Sequence, residues 1–92
     1  MKRKIYIETS VISYLTARPS TDTIKMACQQ IARLWWDAGR VSVAAFVSPY
    51  VVDEAGAGDP QAARERIEAL RSIPVLPMTP EIIELAEFLV LG

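Results

Sequence analysis

The chain has 92 residues, of which 51% are hydrophobic and 23% are charged, and its net charge is −1. This length allows one domain at most, and the composition is typical of a globular protein rather than a disordered segment. Because the sequence contains no histidine, Ser-His-Asp catalysis, Cys-His catalysis and histidine-ligated zinc are excluded. Any chemistry must therefore use carboxylates, hydroxyls or amines.

The first predicted element is a strand over residues 3–8, a short β-prone run typical of a buried strand. Thr9 and Ser10 then supply capping hydroxyls for a short helix that ends before Arg18-Pro19-Ser20. From about residue 21 the three-and-four spacing of apolar residues predicts a longer helix with one buried face, and Gly39 follows it in the position of a C-terminal cap. The predicted inward residues are Ile24, Ala27, Cys28, Ile31, Leu34, Trp35 and Ala38.

The second half of the chain repeats one helix-start signal three times. A second strand is predicted over residues 41–47, and a third, very short one at residues 75–76. Helices start where a capping residue precedes proline, and the last of them is predicted to run to the C-terminus. The three signals are Ser48-Pro49, Asp59-Pro60 and Thr79-Pro80.

Strands that alternate with helices predict an α/β fold with a short parallel sheet, because parallel neighbours need long crossover connections. The final predicted helix has apolar residues all round its axis, so it requires cover on more than one side. We therefore expect either a homo-oligomer that forms through this helix or a domain that is incomplete within residues 1–92. Because the pattern continues to the last residues, we favour the second explanation.

The cysteine content and the hydropathy pattern bear on the compartment and the partners. A single cysteine cannot form an intramolecular disulfide, so we expect a cytoplasmic protein with Cys28 in its core. Neither a secretory signal nor a membrane span is expected, since Glu8 interrupts the apolar run after the basic N-terminus. Through residue 40 seven basic residues face three acidic ones. An RNA partner and a solvated helix surface explain this excess equally well.

Two acidic residues follow the first two predicted strands. Glu8 closes the first strand, and Glu54 lies just past the second. Ligands of open parallel sheets bind outside the carboxyl ends of the strands. Two carboxylates about 5 Å apart there would repel by roughly 3 kcal/mol at an effective dielectric constant of 20. A close pair therefore implies a shared proton or a bound cation. Mg²⁺ or Mn²⁺ is the expected cation, because both prefer oxygen ligands. From the pattern alone, ordinary surface acids remain the alternative.

Two segments carry a resemblance to a known family. Residues 5–15 (IYIETSVISYL) resemble the first motif of the PIN-domain family, in which a buried strand ends in an acid. Residues 47–54 (VSPYVVDE) resemble its second motif, and the order and interval suit the VapC-type toxin branch. The resemblance implies a three-layer PIN-like fold in which helices flank the sheet. Residues 1–92 would correspond to about the first two-thirds of such a domain, truncated at the C-terminus.

By this resemblance, Glu8 and Glu54 are catalytic acids that bind Mg²⁺ or Mn²⁺, and Ser10 binds substrate. The activity implied is RNA cleavage by a toxin that a cognate antitoxin protein inhibits. Glu8 departs from the family pattern, which commonly has Asp there. The family's third and fourth acids lie beyond the end of the sequence, so the resemblance leaves open whether this chain cleaves RNA.

Two other interpretations stay open. The chain could be a non-catalytic PIN-like interaction module that binds an antitoxin or a second copy of itself, or a small α/β domain whose resemblance is accidental. The last helix is predicted to have one solvent-exposed polar edge, formed by Glu81, Glu84 and Glu87. We do not expect these residues to replace the missing acids. Asp53 lies about 100° from Glu54 on a helix, so only one of the two points inward.

Overall fold

The computed structural model describes residues 2–89 and shows a three-stranded parallel sheet with helices around it. The predicted α/β class with a parallel sheet is therefore confirmed. The elements in chain order are β1 (Arg3–Ile7), α1 (Thr9–Thr16), α2 (Thr23–Asp37), a 3₁₀ turn (Gly39–Ser42), β2 (Val43–Phe46), α3 (Pro49–Ala55), α4 (Pro60–Leu70), α5 (Pro80–Leu85) and β3 (Glu87–Leu89).

The central strand of the sheet is β1, with β2 on one side and β3 on the other. Tyr6 is in register with Phe46 on β2 and with Phe88 on β3, and the ring centroids are 5.6 Å and 5.1 Å apart. Side chains of a strand alternate between the faces of the sheet, so Ile5 and Ile7 lie on the face opposite these rings. The carboxyl ends of all three strands meet at one edge.

The hydrophobic core lies between the sheet and the helices that follow β1 and β2. Helix α1 packs against α2, α3 and α4, which places its first turn in the interior. At about 25 cal/mol per Å² of apolar surface, burial of such side chains is the main stabilising term in folding. The most deeply buried side chains are Ile7, Val11, Ile12, Phe46, Val47, Val51 and Ala55.

The three predicted capping signals are confirmed. In each case the side chain of the N-cap residue accepts a hydrogen bond from the backbone N–H three residues later, and proline occupies the first helical position. The bonds join Ser48 Oγ to Val51 N (3.2 Å), Asp59 Oδ2 to Ala62 N (2.9 Å) and Thr79 Oγ1 to Ile82 N (3.3 Å).

The long helix α2 is confirmed, but its predicted inward face is wrong. Ile24, Ile31 and Leu34 are 75%, 52% and 70% exposed, while Gln29 and Ala32 are buried. The side chain of Gln29 accepts from the N–H of Ser20 and donates to the carbonyl of Arg18, at 3.0 and 2.8 Å. These backbone groups lie in the turn between α1 and α2 and require partners. Helix α2 therefore turns a polar residue towards α1 and leaves its apolar stripe outside.

Two single-residue expectations on α2 also change. Cys28 is half-buried rather than a core residue. Trp35, expected in the core, is half-buried like Trp36. The guanidinium carbon of Arg40 lies 4.5 Å from the centre of the Trp36 ring, which is a cation–π contact.

The very short strand predicted at residues 75–76 is reduced to a single bridge. Val75 makes only an isolated parallel bridge with Val47, supported by hydrogen bonds from Val47 N to Pro74 O and from Leu76 N to Val47 O at 3.0 and 2.9 Å. Pro74 and Pro77 have no N–H to extend the ladder in either direction. The third strand is instead β3, twelve residues further along the chain from Val75.

The prediction that the last helix runs to the C-terminus is wrong within the described residues, and residues 90–92 lie outside them. Helix α5 ends at Leu85, Ala86 is extended, and β3 pairs with the free side of β1. An unpaired side of the central strand would leave a row of backbone groups without partners. The all-round apolar pattern therefore belongs to a helix followed by a strand. It does not indicate a helix that must be covered on every side. A homo-oligomer through this segment stays a prediction.

Among the residues described, we find no helix that combines the length and the apolarity needed to cross a membrane.

Candidate functional site

Glu8 and Glu54 line the same cavity, at the carboxyl edge of the sheet. Glu8 directly follows β1, and Glu54 lies in the last turn of α3, the helix after β2. Because β1 and β2 are parallel neighbours, both elements deliver their acids to one edge. The cavity has a volume of about 370 Å³ and is lined by Tyr6, Glu8, Thr9, Ser10, Tyr50, Val51 and Glu54.

A hydrogen bond joins the two halves of this site. Thr9 Oγ1 donates to Glu54 Oε1 at 2.6 Å, a short distance typical of a hydroxyl that donates to a carboxylate. It links the start of α1 with the end of α3 across 45 residues of sequence. One oxygen of Glu54 is thus held by the protein, and the bond fixes how this carboxylate faces the cavity.

The two carboxylates differ in their helical surroundings. Glu8 is the N-cap residue of α1, where the helix dipole favours a negative charge, and its side chain makes no capping hydrogen bond. Glu54 lies in the last turn of α3, where the dipole disfavours a negative charge. A cation in the cavity would compensate the second carboxylate, while the first already has a favourable backbone environment.

The structure corrects the expected capping role of Thr9 and Ser10. The hydroxyl of Thr9 bonds to Glu54 instead of the backbone. Ser10 Oγ is buried and is the one such side-chain atom within residues 2–89 that has no hydrogen-bond partner. A buried hydroxyl without a partner costs about 1–3 kcal/mol. Ser10 is one of the residues that line the cavity.

A buried pair of hydroxyls connects the central strand with the start of α3 beside the site. Tyr6 Oη and Ser48 Oγ are 2.9 Å apart, and Ser48 also caps α3 by accepting from Val51 N. Tyr6 lies on the central strand and Ser48 precedes the helix that carries Glu54. This pair therefore fixes α3 relative to the sheet.

Sequence reasoning missed Thr9, Tyr6 and Tyr50 as site residues. Thr9 and Tyr6 act through partners more than 40 residues away, which no local pattern reveals. Tyr50 had a usable signal, because it lies four residues before Glu54 and residues at this spacing share one helix face.

The other acidic candidates lie elsewhere. Asp53 is exposed and does not line the cavity, as expected from its angle to Glu54. Glu81 and Glu84 are exposed on α5, and Glu87 on β3 forms an ion pair with Arg3. The hydrogen bond from Arg3 to this carboxylate, reinforced by its charge, raises the pKa of the guanidinium. This ion pair therefore belongs to the β1–β3 edge and not to the candidate site.

The site can offer a metal ion a limited set of ligands. In the part of the chain that the structure describes, no cluster of three or more acidic, cysteine or histidine side chains is placed to hold a metal ion. Two carboxylates and nearby hydroxyls line the cavity, all of them oxygen donors. Mg²⁺ accepts such a set, because it keeps several waters and commonly binds through one or two carboxylates.

A second cavity, of about 380 Å³, lies between the end of α1 and the start of α4. Its charged residues include Arg66, which donates to the carbonyls of Ala55 and Ala57 at 2.8 and 2.6 Å. These bonds close the turn between α3 and α4. Arg66 therefore has a structural role at this cavity.

Comparison of the chain with known protein families, with curated proteins and with solved structures found no match in any of the three.

Proposed function

We propose that this chain is a PIN-like, metal-dependent ribonuclease of the toxin type, in which Glu8 and Glu54 hold Mg²⁺ or Mn²⁺. The observation that supports this proposal is the shared cavity: two acids 46 positions apart in the sequence line one pocket at the carboxyl edge of a parallel sheet. The two sequence segments that resemble PIN motifs deliver these acids. A cognate antitoxin that blocks the site belongs to the same proposal.

In this proposal the residues of the chain have distinct roles. Glu8 and Glu54 supply the negative charge that binds the cation. Thr9 donates a hydrogen bond to one oxygen of Glu54, so the carboxylate keeps a fixed orientation. Ser10, whose hydroxyl has no protein partner within the described residues, donates to a phosphate oxygen of the RNA. When bound, the metal supplies Lewis acidity and lowers the pKa of a water molecule, which makes hydrolysis possible without histidine.

Substitution of the two acids tests the proposal. Glu8→Gln and Glu54→Gln keep the side-chain volume but remove the charge. We expect each to reduce RNA cleavage in Mg²⁺ by more than about 100-fold, since even loss of a partner that only orients a ligand costs about 10- to 100-fold. Both should also weaken Mn²⁺ binding in calorimetric titration, a readout that does not depend on cleavage.

The matched control is Asp53→Asn, which removes a neighbouring exposed charge on the same helix. It should retain cleavage and Mn²⁺ binding, and circular dichroism should show that all three variants are folded. If Glu8→Gln and Glu54→Gln cleave RNA as well as Asp53→Asn does, the metal site is assigned to the wrong residues and the proposal fails.

A second candidate function is that of a non-catalytic PIN-like interaction module. The exposed apolar stripe on α2, formed by Ile24, Ile31 and Leu34, supports it, because contiguous exposed apolar residues commonly mark protein–protein contacts. The partner would be an antitoxin or a second copy of the chain.

A further inference from the structure

Tyr50 is the exposed aromatic residue at the candidate site. Its side chain is 66% exposed, and it lines the same cavity as Glu8 and Glu54. The other aromatic residue of that lining, Tyr6, is 7% exposed and has its hydroxyl next to Ser48. Tyr50 is thus the ring in this cavity that a ligand can contact on a face.

The backbone that carries Tyr50 is held in place. Tyr50 is the second residue of α3, which starts with Pro49 and is capped by the buried Ser48. Ser48 is in turn hydrogen-bonded to Tyr6 on the central strand. The backbone at Tyr50 therefore needs no ordering when the ring binds a flat partner, and such preorganisation favours affinity.

The charge of the cavity shows why an aromatic contact is useful there. Among residues 2–89 its lining contains two carboxylates and no lysine or arginine, so apart from a bound cation it repels the phosphates of a nucleic acid. Stacking of a base on an aromatic ring is worth about 1–3 kcal/mol and needs no opposite charge. A neutral ring is therefore suited to holding a polyanion beside two acids.

The size of the cavity limits what enters it. A volume of about 370 Å³ lies near the lower end of the range of roughly 300–1,000 Å³ for small-ligand sites. This space suits the sugar–phosphate part of a chain near the acids, with the base left at the rim. Tyr50 lines this space about one helical turn before Glu54 on α3.

We propose that Tyr50 is a stacking platform for one unpaired base of the RNA next to the phosphodiester held at Glu8 and Glu54. This inference rests on the proposed function and adds a specificity-determining residue to it. A base inside a duplex has both faces covered, so the platform selects nucleotides that are unpaired at this position.

The test uses the full chain and a short single-stranded oligoribonucleotide that contains one 2-aminopurine, a base whose fluorescence is quenched by stacking. Tyr50→Ala should weaken binding of this probe by about 5- to 150-fold, the equivalent of about 1–3 kcal/mol, and should remove the quenching. Tyr50→Phe keeps the ring and should bind within about twofold of the unmodified chain. The weakening should persist at high salt, because stacking does not involve counterion release.

Val41→Ala is the control and should bind the probe as the unmodified chain does, since Val41 is 67% exposed, does not line the cavity and lies in the 3₁₀ turn before β2. The inference is overturned if Tyr50→Ala binds the probe as the unmodified chain does, if Tyr50→Phe is as weak as Tyr50→Ala, or if the unmodified chain does not bind the probe. Binding needs no cleavage, so the two proposals fail separately. If probe binding depends on Tyr50 but the unmodified chain does not cleave RNA, the stacking platform stands and the nuclease is rejected. If the chain cleaves RNA and cleavage does not depend on Tyr50, the nuclease stands and the stacking platform is rejected.

Discussion

Ser48 shows how one small side chain can position a functional site. It is 1% exposed, it caps α3, and it lies 2.9 Å from the hydroxyl of Tyr6. Helix α3 carries both Glu54 and Tyr50. The orientation of the candidate site therefore depends on a residue that does not line the cavity, and stability measurements can detect this dependence.

We predict that Ser48→Ala lowers the free energy of unfolding by about 2 kcal/mol. The substitution leaves the Val51 N–H and the Tyr6 hydroxyl without their partner, and an orphaned buried group costs about 1–3 kcal/mol. Urea denaturation measures the change. Thr79→Ala, which removes a hydroxyl cap from α5, is the control and should cost about 1 kcal/mol. Equal losses in the two variants would show that the bond to Tyr6 contributes nothing beyond the cap.

At the scale of the elements, a glycine allows the end of α2 to meet the following 3₁₀ turn. Gly39 starts that turn, and a Cβ added to it would lie 2.7 Å from Cδ1 of Trp35. The sequence predicted a capping role for Gly39, for which a positive φ is the usual reason. In the described residues the one glycine with a positive φ is Gly58. Gly39 is needed for the close approach of an indole ring instead.

We predict that Gly39→Ala destabilises the protein by about 1–3 kcal/mol, the usual cost of overpacking, because Trp35 must shift to accommodate the methyl group. Tryptophan fluorescence should change in the folded state. Gly56→Ala is the control: its added Cβ would be 3.4 Å from the nearest atom, the carbonyl oxygen of Val52, and it should be neutral or stabilise by up to about 1 kcal/mol. If Gly39→Ala is as stable as Gly56→Ala, the packing of Trp35 does not constrain this position.

The elements that sequence reasoning located well are those fixed by local chemistry. Caps followed by proline mark the starts of α3, α4 and α5, because the capping bond spans only three residues. The face of α2 and the pairing of β3 depend on distant partners, namely the backbone around Arg18 and the free side of β1. The candidate site divides in the same way: Glu8 and Glu54 follow from motifs, whereas the bond from Thr9 to Glu54 requires the fold.

At the scale of the whole molecule, the described surface contains two groups of exposed apolar side chains. One is the stripe on α2, with Leu34 70% exposed, and the other lies on α5 and β3, with Leu85 also 70% exposed. The sequence pattern placed a self-association surface on the C-terminal segment. The structure adds the α2 stripe as an alternative surface for self-association. Its Leu34 matches Leu85 of the C-terminal segment in residue type and in exposed fraction.

The interaction-module hypothesis predicts that the chain self-associates or binds its partner through the α2 stripe. Burying a leucine side chain is worth about 1.5–3 kcal/mol, so Leu34→Glu should raise the dissociation constant of a dimer by more than about tenfold. Leu85→Glu is the matched control, because it adds the same charge at an equally exposed leucine. Size-exclusion chromatography with light scattering over a concentration series measures both. A dimer that Leu85→Glu disrupts and Leu34→Glu leaves intact would place the interface on the C-terminal segment, and an unmodified chain that stays monomeric at all concentrations would reject self-association.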